Sequence, residues 1–198
     1  MNNETKEFRI LNEDSLIRKV DNSDKESRKI EGYALVFNRK SGDLGGFTEI
    51  IDSQAIDGIL ENQDVLALLN HDENRGLLAR YTKGKGTLNL SIDNRGLKYS
   101  FEAPKTSLGD EVLEGVIRGD INASSFGFTV GKHEWRKLED NTHERKILKF
   151  DTIFDVSPAY RPAYQDTDVK IALRSLDSIK SQELKNYYKQ WDEKLNKE

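Results

Sequence analysis

Cysteine is absent from this chain of 198 residues, and the absence removes several kinds of chemistry. Without cysteine there is no disulfide, no thiol nucleophile and no metal site built from thiolates. The sequence therefore permits a cytosolic setting without requiring one.

Long apolar runs are also missing. The longest, "YALVF" and "VLALLN", fall far short of the roughly 20 residues needed to cross a bilayer. The N-terminus "MNNETKEFRI" lacks the basic-then-apolar pattern of a signal peptide. We therefore expect neither a membrane-spanning segment nor a recognisable export signal.

An excess of charge of one sign is missing as well. The net charge is -4, and acidic and basic residues are mixed throughout the chain. This mixture provides no electrostatic footprint for general binding of nucleic acid. The expected partners therefore include neither nucleic acid nor a membrane.

The chain length suits one domain with appendages. We predict a polar lead-in over residues 1–27, a folded domain over 28–173 and a C-terminal tail over 174–198. The lead-in is expected to be a loop or a loosely held strand, with order beginning at about Lys29.

The tail has the pattern of an amphipathic helix from Ser175 onward, which needs a partner surface for its apolar face. That face would carry Leu184, Tyr187, Tyr188, Trp191 and Leu195. The polar stretch "LRSLDSIKSQE" is expected to be an exposed linker, where a protease could cut its own chain after about Leu173.

Periodicity in the middle of the chain predicts mostly strands. "GTLNLSID" and "LKYSFEAP" alternate apolar and polar residues on either side of the turn "NRG", which indicates an antiparallel hairpin. "TSLGDEVLEGVIRGD" changes to a helical period and is expected to end near Gly119. Antiparallel strands interrupted by a few helices predict an α+β domain built around a closed or nearly closed β-barrel.

Two polar residues follow apolar, strand-like runs: His71 in "ALLNHDENRG" and Ser125 in "INASSFGFTV". Hydrolysis by serine needs an imidazole to take the hydroxyl proton and a third group to orient that imidazole. Taken alone, His71 is explained as a surface or turn-capping histidine, and Ser125 as a small residue at a strand crossing. Spacing does not decide the question, because triads have no fixed separation in sequence.

The order of five segments changes this interpretation. "GYALVFNRKSGDLGGFTEII", "LLNHDENRGLLAR", the hairpin, "VIRGDINASSFGF" and "IFDVSPAYRPAY" follow one another along the chain. Together they resemble the prohead protease family of tailed phages, of the HK97 type. The resemblance covers about residues 29–171.

The resemblance implies a catalytic triad. The family histidine in its "NHD" setting corresponds to His71, and the family serine directly before "FGF" corresponds to Ser125 rather than Ser124. The acidic residue before "VS" corresponds to Asp155. Asp151 lies four residues earlier, on the same side of a regular strand, and is the alternative third member.

The resemblance also implies a fold and a role. The fold is that of herpesvirus assemblins, a β-barrel surrounded by helices. The role is that of a serine endopeptidase that trims the scaffolding part of the major capsid protein, and then itself. Backbone N–H groups would hold the oxyanion, with Arg161 as a candidate for supporting them, and neither a cofactor nor a metal is implied.

The expected partners are therefore the phage major capsid protein with its scaffolding region, together with further copies of this chain. The expected location is the inside of assembling proheads in the host cytoplasm, or the cytoplasm of a bacterium that carries the prophage.

Two other functions stay open on the sequence alone. The first is a non-enzymatic capsid or scaffold component of similar fold. The second is a metal-dependent hydrolase that uses His71 and Asp72 as a pair. Such a site needs further histidines on helices, whereas His133 and His143 fall in predicted strands and a turn.

Overall fold

The computed structural model describes residues 6–11, 17–20, 26–160 and 170–195. The strands are β1 (Glu7–Leu11), β2 (Arg18–Lys19), β3 (Lys29–Val36), β4 (Phe47–Ile51), β5 (Asp64–Ala67), β6 (Ala79–Thr82), β7 (Lys85–Gly86), β8 (Leu88–Ile92), β9 (Gly96–Glu102), β10 (Ala123–Lys137) and β11 (His143–Ala159). The α-helices are α1 (Ser107–Arg118) and α2 (Lys170–Leu195), and short 3-10 turns occupy Ser53–Ile56, Leu60–Asn62 and Glu73–Arg75.

The strands form two sheets. The larger has seven strands in the order β1-β10-β11-β5-β6-β7, with β4 paired to β11, and the smaller has four in the order β2-β3-β9-β8. The predicted α+β class is confirmed. Within the described ranges the strand orders do not close into a ring, so the closed barrel stays a prediction.

The hairpin of β8 and β9 is confirmed, with Ile92 opposite Leu97. Asp93 stabilises the turn of this hairpin. Its side-chain Oδ1 accepts hydrogen bonds from the backbone N–H groups of Arg95 and Gly96, at 2.8 and 3.0 Å. An aspartate that binds backbone groups just ahead of it is a common way of stabilising a turn.

Helix α1 ends at Arg118 and is capped by Gly119, in agreement with the predicted end near Gly119. This glycine adopts the left-handed conformation (φ 81°), which glycine accepts without cost. The N-cap of the helix is Thr106, whose side chain accepts a hydrogen bond from Gly109 N. Val112 and Val116 are buried and fix the helix on the core.

Aromatic side chains from β10 and β11 fill the core of the larger sheet. The rings of Phe126 and Phe128 stack with centroids 4.7 Å apart, and Phe150 lies edge-on to both. Tyr99 of β9 is fully buried and brings the smaller sheet against β10. The long β10 and β11 strands therefore share one hydrophobic core with the smaller sheet.

Strand β1 lies inside the segment that the sequence presents as a polar lead-in. It pairs with β10 in an antiparallel manner, from Glu7 opposite Phe128 to Leu11 opposite Ser124. Glu7 and Arg9 are buried, and burial of charge is tolerated only when each charge has partners. Those partners come from β4 and β11, far away in sequence.

Helix α2 begins at Lys170, so residues 173–183 are helical and not the predicted linker, although most of them are exposed as expected. Ala172 and Leu176 are buried against Phe47, and Ser175 Oγ accepts a 3.0 Å hydrogen bond from Trp135 Nε1. Ala172, just before the polar stretch, and Leu176, within it, are spaced four apart and dock this part of the helix on the body of the protein.

Farther along α2 the predicted apolar face is exposed. Its members Leu184, Tyr187, Tyr188 and Trp191 are between 50% and 59% exposed. No helix within the described ranges has both the length and the apolar character that a bilayer crossing requires.

Candidate active site

Three neighbouring strands of the larger sheet bring the predicted site residues together. Ser125 lies near the start of β10, Asp155 lies near the end of β11, and His71 follows β5. In the β10–β11 ladder, Ser125 is opposite Ser157 and Gly127 is opposite Asp155. Since β5 runs beside this end of β11, the loop after β5 reaches the same place.

The three side chains form a continuous series of hydrogen bonds. His71 Nε2 lies 2.5 Å from Ser125 Oγ, and His71 Nδ1 lies 2.5 Å from Asp155 Oδ1. A carboxylate accepts only, so a neutral His71 donates from Nδ1 to Asp155 and accepts the serine proton at Nε2. This is the tautomer that a general base for Ser125 requires.

His71 is aimed at this position by an unusual stretch of backbone. Asn70 and His71 both have positive φ, at 52° and 60°, which is uncommon for residues other than glycine. Asn70 N donates to Pro158 O at 3.0 Å, and this bond fixes the loop against the end of β11. The turn directs the imidazole back over β10.

Ser157 is a member of the site that sequence reasoning missed. Its Oγ donates to Asp155 Oδ1 at 2.8 Å and accepts from the backbone N–H of His71 at 3.3 Å. The side chains of residues two apart on a strand share a face. The pattern "DVS" could therefore have identified Ser157 as a neighbour of Asp155.

Gly127 leaves room for the buried carboxylate. A Cβ atom at this position would overlap Asp155 Oδ2 and the ring of Phe154. The glycine in "SFGF" is therefore a spatial requirement of the site.

Replacing Gly127 with alanine should displace Asp155 and lower the rate of peptide cleavage. A misplacement of about 1 Å can cost about 100-fold in rate, and we expect a loss of that size. The matched control is Gly131→Ala on the same strand, because an added Cβ there would meet its nearest neighbours at an ordinary 3.5 Å. Equal activity of the two variants, measured on one peptide substrate, would contradict this role of Gly127.

Ser124 points away from the triad. Its Oγ lies 2.7 Å from the hydroxyl of Tyr99, and both residues are fully buried. Burial raises the pKa of Tyr99 well above its ordinary range. Ser124 thus belongs to the contact between the two sheets.

Asp151 lies away from the other site residues. It is exposed, with its Cβ atom next to Gly131. At about 3.3 Å per residue, Gly131 is roughly 20 Å along β10 from Ser125. The pairing also shifts register between Gly127 and Phe128, so β11 is not the regular strand that the sequence argument assumed.

The other residues that the sequence analysis named for a metal site or for oxyanion support make no described contact with Ser125, His71 or Asp155. Asp72 accepts from the backbone N–H of Asn74 at 2.9 Å and caps the turn after His71. His133 Nε2 lies 3.3 Å from Ser175 Oγ, beside helix α2. Arg161 lies outside the described residues.

A protein-family model described as caudovirus prohead serine protease matches residues 14–182. No curated protein and no solved structure matches the chain significantly. The match extends beyond the folded domain predicted from sequence, into the lead-in and the first half of α2. The chain therefore belongs to the caudovirus prohead serine protease family, and it is a serine endopeptidase of phage capsid maturation.

Proposed function

We propose that this endopeptidase cleaves the scaffolding part of the phage major capsid protein, and also its own chain, inside the assembling prohead in the host cytoplasm. The observation that carries the proposal is the series of hydrogen bonds from Ser125 through His71 to Asp155. Family membership supports the choice of a capsid protein as substrate.

In the proposed reaction, Ser125 Oγ attacks the carbonyl carbon of the scissile peptide bond while His71 Nε2 takes the hydroxyl proton. Asp155 stabilises the imidazolium that forms, and His71 then gives the proton to the leaving amine. A water molecule hydrolyses the resulting ester by the same route in reverse. Backbone N–H groups that hold the oxyanion contribute about 3 kcal/mol per donor in enzymes of this kind.

Asp155 is suited to this role by its surroundings. Its side chain is 4% exposed, and Ser157 donates to the same oxygen that His71 binds. A buried, hydrogen-bonded carboxylate holds the imidazole in one orientation at little entropic cost. The assignment of Asp155 rather than Asp151 is part of the proposal.

Co-expression with the major capsid protein of the same phage tests the proposal. Intact-mass spectrometry should find the capsid protein shortened by its scaffolding region with the wild-type chain, and uncut with the Ser125→Ala variant. The mass of the protease itself should also decrease, in the wild type only. An identical set of capsid-protein masses with both chains would indicate a non-enzymatic role instead.

The exposed end of α2 should be dispensable for peptide cleavage. Deleting residues 184–198 removes the exposed apolar face and leaves the buried Ala172 and Leu176 in place. The expected result is a folded protein with unchanged activity on a short peptide.

A longer deletion, of residues 175–198, provides the comparison. It removes Leu176 and the hydrogen bond from Trp135 to Ser175, and we expect it to lower the free energy of unfolding by about 2 kcal/mol or more. Urea unfolding of the two truncated proteins measures the difference. Equal stability would show that the burial of Leu176 and the bond from Trp135 to Ser175 contribute nothing.

A further inference from the structure

Strand β1 lies directly over the nucleophile. In the β1–β10 ladder, Arg9 is opposite Phe126 and Ile10 is opposite Ser125. The backbone carbonyl of Arg9 lies 2.9 Å from Ser125 Oγ, and the ring of Phe8 lies 4.4 Å from the imidazole of His71, centroid to centroid. The N-terminal strand thus contacts both reactive side chains.

This contact is incompatible with catalysis. The serine hydroxyl has one hydrogen, which His71 Nε2 must receive during attack. In the structure Arg9 O is a second acceptor for the same hydrogen. A carbonyl in a productive complex would instead direct its oxygen at backbone donors of the oxyanion site. β1 therefore occupies the site in an unproductive manner.

The side chain of Arg9 extends to the other face of the sheet, into a buried group of charges. Its Nε and Nη2 donate to the two carboxylate oxygens of Glu49 at 2.8 and 3.0 Å, and Nη2 also donates to Glu7 at 2.7 Å. The guanidinium lies 5.4 Å from the centroid of the Phe128 ring. Such two-pronged binding of a carboxylate selects arginine by shape as well as by charge.

Glu7 is held as firmly as Arg9. Arg145 donates to both of its oxygens, at 2.7 and 3.0 Å. Burial opposes the ionisation of Glu7, but hydrogen bonding from Arg145 and the charge of Arg9 outweigh it and lower the pKa of this carboxyl. Glu7 and Arg9 are thus both charged in this buried position.

The charges balance in two pairs. β1 supplies Glu7 and Arg9, while the body of the protein supplies Glu49 from β4 and Arg145 from β11. If β1 leaves, Glu49 and Arg145 still pair with each other, at 3.1 Å. A chain that replaced β1 with only one charge would bury that charge without full compensation, which is unfavourable. The site therefore favours chains that bring both charges.

We propose that the edge of β10 covered by β1 is the substrate-binding site of this protease, and that it takes an extended peptide of the pattern acidic–apolar–basic, with the carbonyl of the basic residue beside Ser125. Addition of a strand to a sheet edge is a common mode of peptide binding, in which alternate side chains enter pockets and give selectivity. Cleavage follows the basic residue: its carbonyl carbon bonds to Ser125 Oγ, the C–N bond breaks, and the hydroxyl proton goes through His71 to the leaving amine. Strand β1 is then an internal competitor that must leave before a substrate binds.

The inference rests on the proposed function for its cleavage step, but binding can be tested separately. The probe is a fluorescein-labelled peptide with the sequence of residues 6–12, KEFRILN. Its matched control has the glutamate and arginine exchanged, and so has the same composition and charge. Fluorescence anisotropy measures the binding of both peptides to the full chain with Ser125→Ala, which cannot turn them over.

Two further substitutions, Glu7→Ala with Arg9→Ala, should release β1 while leaving the Glu49–Arg145 pair intact. We expect KEFRILN to bind this protein at least about tenfold more tightly than the chain with native β1, since the competent state is more populated. The exchanged peptide should bind at least about tenfold more weakly than KEFRILN. The control protein carries Asp64→Ala with Arg80→Ala, an exposed ion pair of the same sheet, and should bind like the chain with native β1.

Equal binding of the two peptides, or no gain on removing the β1 charges, would overturn the inference. If circular dichroism shows that the double substitution unfolds the chain, Phe8→Ala replaces it, because this change removes ring contacts with His71 and Phe154 and keeps both charges of β1. Phe8→Ala should likewise make KEFRILN bind more tightly than it binds the chain with native β1. If binding is not tighter, the inference is overturned.

A fluorophosphonate reagent on the chain with Ser125 restored separates the two proposals. Selective peptide binding without labelling of Ser125 or cleavage would leave the binding site in place and remove the proposed function. Labelling of Ser125 without selective peptide binding would support the proposed function and overturn the proposed binding site.

Discussion

Replacing Ser125 with alanine is expected to lower the rate of capsid-protein cleavage by a factor on the order of 10⁶, as removal of the nucleophile does in other serine proteases. No other hydroxyl takes its place in the proposed site: Ser157 is bonded to Asp155, and Ser124 faces Tyr99. The measurement is the initial rate of substrate loss by quantitative mass spectrometry, with both proteins at equal concentration.

Ser124→Ala is the control for this experiment. The change removes a buried hydrogen bond to Tyr99 and should cost about 1 kcal/mol of stability, while most of the activity remains. A severe loss of activity in Ser124→Ala together with an active Ser125→Ala protein would overturn the assignment of the nucleophile.

Asp155→Asn is expected to lower the rate by about 10⁴. The asparagine amide can donate to Nδ1 of His71, and this bond would favour the tautomer that holds its proton on Nε2. The histidine could then no longer accept the proton of Ser125. Steady-state rates on one peptide substrate measure the effect.

Asp151→Asn is the matched substitution on the same strand. Asp151 is exposed and lies near Gly131, so its amide should change the rate by less than about twofold. A severe effect of Asp151→Asn with a mild effect of Asp155→Asn would keep a triad but move its acidic member.

Short motifs in a fixed order predicted that His71, Ser125 and Asp155 act together, and the structure brings their side chains within hydrogen-bond distance of one another. Local rules also predicted the hairpin of β8 and β9 and the end of α1 at Gly119. For the hairpin and the helix end, the information lies within a few residues of the feature, whereas the site residues were indicated by the order of five segments over residues 29–171. The α+β class follows from the same local signals.

The part that could not be predicted depends on contacts between distant residues. Glu7 and Arg9 look like solvated charges of a polar lead-in, because their partners lie 138 and 40 positions away, in β11 and β4. Nothing near residue 9 in sequence indicates that the distant Glu49 is buried and receives its guanidinium. The contacts of β1 with Ser125 and His71 could therefore not be predicted before the fold was known.

Helix α2 illustrates a second limit. Leu176 lies in a stretch of mostly polar residues, so local composition predicted an exposed linker. Its burial depends on Phe47 and on the Trp135 side chain beside Ser175, which only the fold brings together. Ser157 is an intermediate case, since strand alternation from Asp155 could have revealed it.

The central claim is that Ser125 is a nucleophile activated by His71. The most direct measurement is treatment of the full chain with a fluorophosphonate, followed by digestion and peptide mass spectrometry. The account predicts one phosphonate adduct on Ser125, formed whenever β1 is displaced from this buried residue. The adduct should be unchanged in Ser124→Ala, and absent from both Ser125→Ala and His71→Ala. An adduct on another residue, or undiminished labelling of Ser125 in His71→Ala, would contradict it.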